Sequence, residues 1–125
     1  MTFQAQCRAF LARHELIHSP HIHTLDLASE VGEIAKAILE GSRYGESPLQ
    51  STPGLEAEVG DAFFSLLALA ESLNVDLETA LEDTLARYEA RLAARGHPGS
   101  RDHTVVASNL RTPTNNKEQI NADGN

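Results

Sequence analysis

Apolar side chains recur at helical spacing in four stretches of the chain, and segments rich in Gly, Pro and Ser separate these stretches. The first stretch, residues 2–17, predicts an amphipathic helix because its apolar residues return every three or four positions. This helix should end near Ser19, since a residue that precedes a proline avoids the helical region. Its apolar face comprises Phe3, Cys7, Phe10 and Leu11, with Leu16 and Ile17 less regularly placed.

A second amphipathic helix is predicted from Thr24, a suitable N-cap, to about Glu40, where a glycine follows in the usual C-terminal role. Residues 41–54 are rich in Gly, Ser and Pro and form a loop that is long for a compact domain, which is typical of functional loops. Arg43 and Tyr44 stand near its start, within reach of a ligand held by the preceding helix. The apolar stripe of the second helix comprises Leu27, Val31, Ile34, Ala35 and Ile38.

The third helix is predicted from Pro53, with Ser51 or Thr52 as its cap, to about Leu73. Its pattern differs from that of the others because it leaves almost no polar face. A helix that is apolar nearly all round is expected to be buried. Its apolar residues are Leu55, Val59, Ala62, Phe63, Phe64, Leu66, Leu67, Leu69 and Ala70.

The fourth helix is predicted from Leu77 to about Arg95, after a tight connection in which Asp76 is the natural N-cap. Beyond it the chain becomes polar, rich in Asn and aperiodic. We therefore expect a helical domain of residues 1–98, followed by a flexible polar tail of residues 99–125.

Composition supports one all-α domain and excludes several classes of function. Its 125 residues suit a single domain, and the low aromatic content of 5% favours helices over a β-sandwich. The formal net charge of −8 argues against binding nucleic acid through its phosphates. A single cysteine, Cys7, excludes an internal disulfide framework and a Cys-rich zinc site. With no apolar run of membrane-spanning length and no signal-peptide pattern, we expect a cytoplasmic protein without a membrane partner.

Four histidines lie within ten residues around the first predicted connection: His14, His18, His21 and His23. One interpretation is a transition-metal site or a loop that faces a substrate. The other is an exposed linker that is rich in histidine. The second is favoured because no cysteine and no regular two-ligand helix spacing accompanies these residues.

Two pairs of carboxylates carry the clearest chemical signal: Glu30 with Glu33, and Glu58 with Asp61. Carboxylates three residues apart share one helical face and repel each other, at a cost of roughly 0.2–0.5 kcal/mol per pair. The second pair lies in the most apolar helix, where buried carboxylates are costly unless a cation or a metal accompanies them. Four carboxylates from two adjacent helices make an all-oxygen site, which suits Mg²⁺ or Mn²⁺.

A line of arginines follows on the fourth predicted helix, where Arg87, Arg91 and Arg95 repeat every four residues. Taken alone, they fit a solvated face with Glu–Arg pairs. Beside a metal site they would complement phosphate charge, while the metal would lower the pKa of a bound water that attacks phosphorus. The combination predicts a metal-dependent phosphoanhydride hydrolase.

The acidic pairs and their surroundings resemble the motifs of the MazG-like all-α nucleoside triphosphate pyrophosphohydrolase superfamily. Glu-x-x-Glu at 30–33 is separated by 24 residues from Glu-x-x-Asp at 58–61. The first pair lies within Leu-Ala-Ser-Glu-Val-Gly-Glu-Ile-Ala-Lys-Ala, and the second within Glu-Val-Gly-Asp-Ala-Phe-Phe-Ser-Leu-Leu-Ala-Leu-Ala. The resemblance covers residues 16–95.

This resemblance implies an all-α four-helix bundle completed by oligomerisation, as a homodimer or a tetramer. It also implies hydrolysis of a nucleoside or deoxynucleoside triphosphate to the monophosphate and pyrophosphate. Family members often have a Glu where this chain has Ser29, which leaves the number of metal ions and the general base open. The implied Mg²⁺ ligands and catalytic residues are Glu30, Glu33, Glu58 and Asp61. The implied substrate-binding residues are Lys36, Arg87, Tyr88 and Arg91.

Two alternatives to this function remain at the level of the sequence. Phosphoribosyl-ATP pyrophosphohydrolase has similar acidic motifs and a different nucleotide, and a non-catalytic helical metal-binding or interaction module would keep the fold alone. Surface salt bridges do not account for the acidic pairs, because too few basic residues share their helices. Gly32 and Gly60, each inside an acidic motif, leave side-chain-free patches that suit close helix approach.

Overall fold

Four α-helices form the part of the chain that the computed structural model describes, residues 1–100, and that part contains no β-strand. The all-α prediction is therefore confirmed. The predicted tail falls almost entirely on residues 101–125, outside the described residues. None of the four helices is both long and apolar enough to span a membrane. The helices are α1 (Phe3–Arg13), α2 (Pro20–Gly41), α3 (Pro53–Ser72) and α4 (Leu77–Arg95).

The first helix is shorter than the sequence predicts, because it ends at Arg13 and not near residue 17. Glu15 adopts a left-handed backbone with φ of 57°, which a continuing helix does not allow. The N–H of Leu16 then donates to the carbonyl of Leu11 at 2.9 Å, so the chain turns back over the last helical turn. The predicted extension to residue 17 is therefore wrong.

The second helix begins four residues earlier than its predicted cap. Pro20 occupies the first helical turn, where its fixed φ is favourable and its missing N–H is harmless, and Ser19 is the N-cap. Thr24 lies inside the helix and donates its hydroxyl to the carbonyl of Pro20 at 2.7 Å. The assignment of Thr24 as N-cap is thus wrong. The Ser-Pro pair that was predicted to end α1 instead supplies the N-cap and the first residue of α2.

The starts of α3 and α4 agree with the sequence. The hydroxyl of Thr52 accepts the N–H of Leu55 at 3.2 Å, and the carboxylate of Asp76 accepts the N–H of Thr79 at 2.8 Å. Each bond satisfies one of the donors that the first turn of a helix leaves without a partner. The bond from Thr79 also lowers the pKa of the Asp76 carboxyl.

The core of the unit Met1–Thr84 lies where α1 packs on α3. Cys7 and Leu11 of α1 meet Leu67 and Ala68 of α3, and Leu77 packs at the edge. Burial raises the pKa of the Cys7 thiol, and the nearby charge of Glu71 raises it further. A buried thiol of raised pKa holds little thiolate, so this cysteine is a structural residue.

The third helix is much less buried within one chain than its composition predicts. Only Ser65, Leu67, Ala68 and Ala70 are buried, although α2 and α1 both pack against α3. Val59 is 52% exposed and Leu66 is 40% exposed. The prediction of a buried α3 is therefore wrong for a single chain, because two neighbouring helices cannot cover a helix that is apolar on every side.

Two polar contacts tie α1 to the α3–α4 junction. The side-chain amide of Gln4 donates to the carbonyl of Val75 at 2.7 Å and accepts the N–H of Leu77 at 3.0 Å. The guanidinium of Arg8 donates to both carboxylate oxygens of Glu71, at 2.7 and 3.0 Å. This bidentate pair lowers the pKa of the Glu71 carboxyl, and a hydrogen bond from Gln4 acts in the same direction.

Replacing Glu71 with Gln is expected to destabilise the fold by about 1 kcal/mol at pH 7, since Arg8 is largely exposed and such pairs contribute little. The lowered pKa of Glu71 means that its contribution is fully present above its ordinary value of 4.5 and is lost as pH falls through the folded value. Chemical denaturation of both proteins from pH 7 to pH 3 should show their difference shrinking in acid. A difference that stays constant down to pH 3 would contradict the ion-pair explanation.

Candidate metal centre

Three carboxylates from two helices converge between α2 and α3. Glu30 of α2, with Glu58 and Asp61 of α3, places one carboxylate oxygen each so that all three lie within 4.8 Å of one another. The spacing of three residues puts Glu58 and Asp61 on one face of α3. The packing of α2 along α3 brings Glu30 to that face. We call these three residues the acidic cluster.

The electrostatics of the acidic cluster are unfavourable without a cation. Removal from water raises the pKa of the Glu30 carboxyl above its ordinary value, and the charges of Asp61, Glu58, Glu33 and Asp26 raise it further, in that order. Three carboxylates in reach of one point are the hard oxygen donors that Mg²⁺ and Mn²⁺ prefer, so the donor set fits such an ion.

Burial differs among the three residues of the acidic cluster. Glu30 and Glu58 are half-buried, whereas Asp61 is exposed. The sequence argument that both acids of α3 are buried therefore fails for Asp61. An open side is nevertheless what a site for a metal–phosphate complex requires, because the substrate and the waters must also reach the ion.

Glu33, the fourth predicted ligand, lies outside this group of three. It is exposed, and its carboxylate lies 4.0 Å from the ammonium group of Lys36, one turn further along α2. Its charge still contributes to the raised pKa of Glu30, so it lies within electrostatic reach of the cluster. The roles of Glu33 as a ligand and of Lys36 as a substrate-binding residue stay predictions.

The other predicted substrate-binding residues belong to the part of α4 that follows Thr84, which forms a separate unit. Within it, the guanidinium of Arg91 lies 5.9 Å from the ring centroid of Tyr88 and donates to the carbonyl of Pro98 at 3.0 Å. Arg91 is thus held over the aromatic face by a cation–π contact. The assignment of Arg87, Tyr88 and Arg91 to the substrate stays a prediction.

The histidines of the first connection are used locally. The N–H of His18 donates to the Nε2 of His23, which is buried, at 3.1 Å. His14 packs against Phe10 with the two rings tilted by 50° and their centroids 4.6 Å apart. Among residues 1–100 the acidic cluster is the one group of three or more potential ligands close enough for a single ion, and it contains no histidine. The favoured interpretation as an exposed linker is wrong for His21 and His23, which lie in the first turn of α2, with His23 buried.

The two motif glycines do not serve close helix packing within one chain. A Cβ atom added at Gly32 or Gly60 would meet no atom within 4 Å outside the local helix. Both residues lie inside helices, where glycine costs roughly 0.5–1 kcal/mol relative to alanine. The prediction of close helix approach is therefore wrong for the single chain. Gly60 lines a groove between α1 and α3, together with Phe3 and Phe10 of α1. This groove was not predicted from the sequence, although the seven-residue spacing of Phe3 and Phe10 places both on one face of α1.

The chain is similar to a protein of Bacillus subtilis (strain 168), YpjD, with 36% identity over 76 residues, which cover 58% of this chain and 67% of YpjD. It is also similar to the crystal structure of the "putative pyrophosphatase YPJD from Bacillus subtilis". That likeness has a TM-score of 0.58 and 31% identity, and it covers 70% of this chain and 90% of the other.

The model of a family of helical domains matches residues 18–95, a segment that holds both acidic motifs and helices α2 to α4. Helix α1 lies outside this match. The family and the solved relative together support a nucleotide pyrophosphatase, in agreement with the resemblance that the acidic motifs carry. The matched segment covers more than half of the sequence, and the chain belongs to the MazG nucleotide pyrophosphohydrolase domain family.

Proposed function

We propose that this protein is a Mg²⁺-dependent pyrophosphohydrolase that converts a nucleoside or deoxynucleoside triphosphate into the monophosphate and pyrophosphate. The observation that carries the proposal is the convergence of Glu30, Glu58 and Asp61 within 4.8 Å. Membership of the family indicates that the substrate is a nucleotide and that a pyrophosphate bond is cleaved. Nucleotide-pool house-cleaning in the cytoplasm is a cellular role that such an activity would serve.

In this proposal the acidic cluster holds the ion, and Glu33 completes the ligand set. A bound Mg²⁺ would neutralise phosphate charge and lower the pKa of a water molecule. Hydrolysis would join a water oxygen to the α-phosphorus and break the bond from this phosphorus to the bridging oxygen, so that pyrophosphate would leave. Lys36 would balance phosphate charge from α2, and Arg87 and Arg91, with Tyr88 beside them, would do so from α4.

The proposed function is tested by incubating the full chain with a panel of ribonucleoside and deoxynucleoside triphosphates and Mg²⁺. Pyrophosphate and the monophosphate should appear in equal amounts, and chelation of the metal should stop their release. The same assay with phosphoribosyl-ATP as substrate tests the alternative activity, that of a phosphoribosyl-ATP pyrophosphohydrolase. Absence of turnover for every nucleotide, with retained Mg²⁺ binding, would favour a non-catalytic metal-binding module.

We further propose that a second copy of the chain completes the helical bundle. Exposed apolar residues repeat every seven positions on α2 and α3, which places them in one stripe on each helix. Contiguous exposed apolar patches often mark protein–protein interfaces. A second copy would cover the surface that makes α3 appear too apolar for one chain, in a homodimer or a tetramer. The stripes comprise Val31 and Ile38 on α2, Val59 and Leu66 on α3, and Leu73 directly after α3.

Replacing Leu66 with Glu is expected to convert the oligomer into monomers, because a charge in the centre of an apolar interface loses its water without gaining a partner. Size-exclusion chromatography with light scattering measures the change directly. Ala9→Glu is the matched control, since it adds the same charge at an exposed position of α1. Equal masses for wild type and Leu66→Glu would mean that this stripe is not the interface.

A further inference from the structure

All four phenylalanines of the chain meet at one groove between α1 and α3. Phe3 and Phe63 pack edge to face with ring centroids 5.5 Å apart, and Phe10 and Phe64 do the same at 5.8 Å. Large aromatic side chains usually lie in the core, yet these four are between 38% and 68% exposed. Packing of α1 on α3 therefore does not by itself explain why these four side chains are apolar and aromatic.

The groove has a volume of about 380 Å³, and its lining includes the chain neighbour of one residue of the acidic cluster. Besides the phenylalanines, Gln6 and Gly60 line it. Gly60 precedes Asp61 directly, and Phe64 follows Asp61 by three residues, so it lies beside Asp61 on the surface of α3. A molecule held at the acidic cluster therefore has this groove within its reach.

Gly60 keeps the groove open at a cost to helix stability. A Cβ atom at this position would meet no atom within 4 Å, so no packing within the chain requires a glycine here. Glycine is nevertheless among the poorest residues for a helix interior. A ligand that approaches the backbone of α3 would account for a position without a side chain.

We propose that this groove is the nucleobase subsite of the enzyme, with the phosphates on the acidic cluster and the base between the two pairs of phenylalanines. The inference rests on the proposed function. Aromatic side chains bind bases by stacking, and a pocket of a few hundred Å³ suits a small ligand. Gln6 presents a donor and an acceptor to the base edge, which suits discrimination between bases.

One wall of the subsite comes from a helix that lies outside the matched segment of the family domain. Phe3, Gln6 and Phe10 all come from α1, which precedes the matched segment of residues 18–95. The domain alone would hold the metal and the phosphates, whereas α1 adds one wall of the groove and its amide. We therefore expect base preference to depend on α1, and phosphate binding to be independent of it.

The test compares Gly60→Val with Gly32→Val in the full chain. The control glycine has the same place in the other acidic motif, and a Cβ there also meets nothing within 4 Å. Gly60→Val should raise KM for nucleoside triphosphates about tenfold, in the range of losing one stacked base. Inorganic tripolyphosphate, which has no base, should inhibit both variants and wild type equally. Gln6→Ala, at an exposed position that tolerates change, should alter the ranking of the four bases by about threefold to tenfold.

Several results would overturn the subsite. An unchanged KM in Gly60→Val would show that the base does not bind in the groove. If Gly60→Val lost inhibition by tripolyphosphate to the same extent as it lost nucleotide binding, the effect would lie at the acidic cluster. If Gly60→Val changed the oligomeric mass and left KM unchanged, a second copy of the chain would occupy the groove. If wild type cleaves no triphosphate, the proposed function fails by itself. Calorimetric titration with nucleoside monophosphates then decides the subsite, which survives only if Gly60→Val weakens their binding.

Discussion

Replacing Glu58 with Gln is expected to reduce Mg²⁺-dependent pyrophosphate release at least a hundredfold. The change keeps the size of the side chain and removes one of three carboxylates that lie within 4.8 Å of one another. Loss of a residue that only supports a metal ligand commonly costs 10–100-fold, so loss of a ligand should cost more. The decisive measurement is kcat/KM over a range of Mg²⁺ concentrations, together with Mg²⁺ binding by calorimetry.

Glu56→Gln provides the matched control for this experiment. Glu56 lies on the same helix two residues earlier, is exposed, and interacts with the hydroxyl of Ser51 at 3.3 Å. It should retain the activity and Mg²⁺ affinity of wild type. Without metal, Glu58→Gln should melt at a temperature no lower than wild type, since it relieves repulsion within the acidic cluster. Full activity in Glu58→Gln would mean that the acidic cluster is not the catalytic metal site.

Local chemistry made the starts of α3 and α4 predictable from the sequence. The side chain of a capping threonine or aspartate accepts a backbone N–H three residues later, and this hydrogen bond does not depend on the rest of the fold. The errors occur at α1 and α2, where the same Ser-Pro pair can end one helix and begin the next. The left-handed backbone of Glu15 ends α1 early, and no residue type in that segment marks the position.

The acidic cluster could be predicted in part, for a similar reason. Spacing along a helix places Glu58 beside Asp61, but the meeting of these residues with Glu30 depends on how α2 packs against α3. The sequence does not separate Glu30 from Glu33 in this respect, and the structure brings only Glu30 into the group of three. The expectation that the two acidic motifs act together came from the family resemblance. This resemblance is confirmed by the match of the family model over residues 18–95.

Burial was the least predictable property, because in the proposed oligomer a second copy of the chain would cover part of the surface of α3. The composition of α3 describes a helix with neighbours on every side, while one chain supplies neighbours on two. Its remaining apolar surface includes the stripe that contains Val59 and Leu66 and the groove that contains Phe63 and Phe64, and Phe63 adjoins both residues of the stripe. We assign the first surface to a second copy and the second to the substrate, so the same apolar pattern would serve two purposes.

Leu11→Ala is expected to have the largest effect on stability, with a loss of about 2–5 kcal/mol in the free energy of unfolding. Leu11 is 1% exposed and is the largest fully buried side chain among the described residues. It lies against Leu67 and Ala68, so its truncation leaves a cavity in the contact that holds α1 on α3. Denaturant unfolding measures the loss, and Leu25→Ala is the control because Leu25 is 71% exposed.

The same variant also separates the two parts of the proposed site. All three residues of the acidic cluster lie on α2 and α3, so Leu11→Ala should keep Mg²⁺ binding at temperatures where it stays folded. Its groove should be impaired, because Phe3, Gln6 and Phe10 depend on the packing of α1 for their positions. We therefore expect a raised KM for nucleotides with unchanged inhibition by tripolyphosphate, as for Gly60→Val. A free energy loss as small as that of Leu25→Ala would show that α1 does not pack on α3 in solution, and the subsite would fall with that contact.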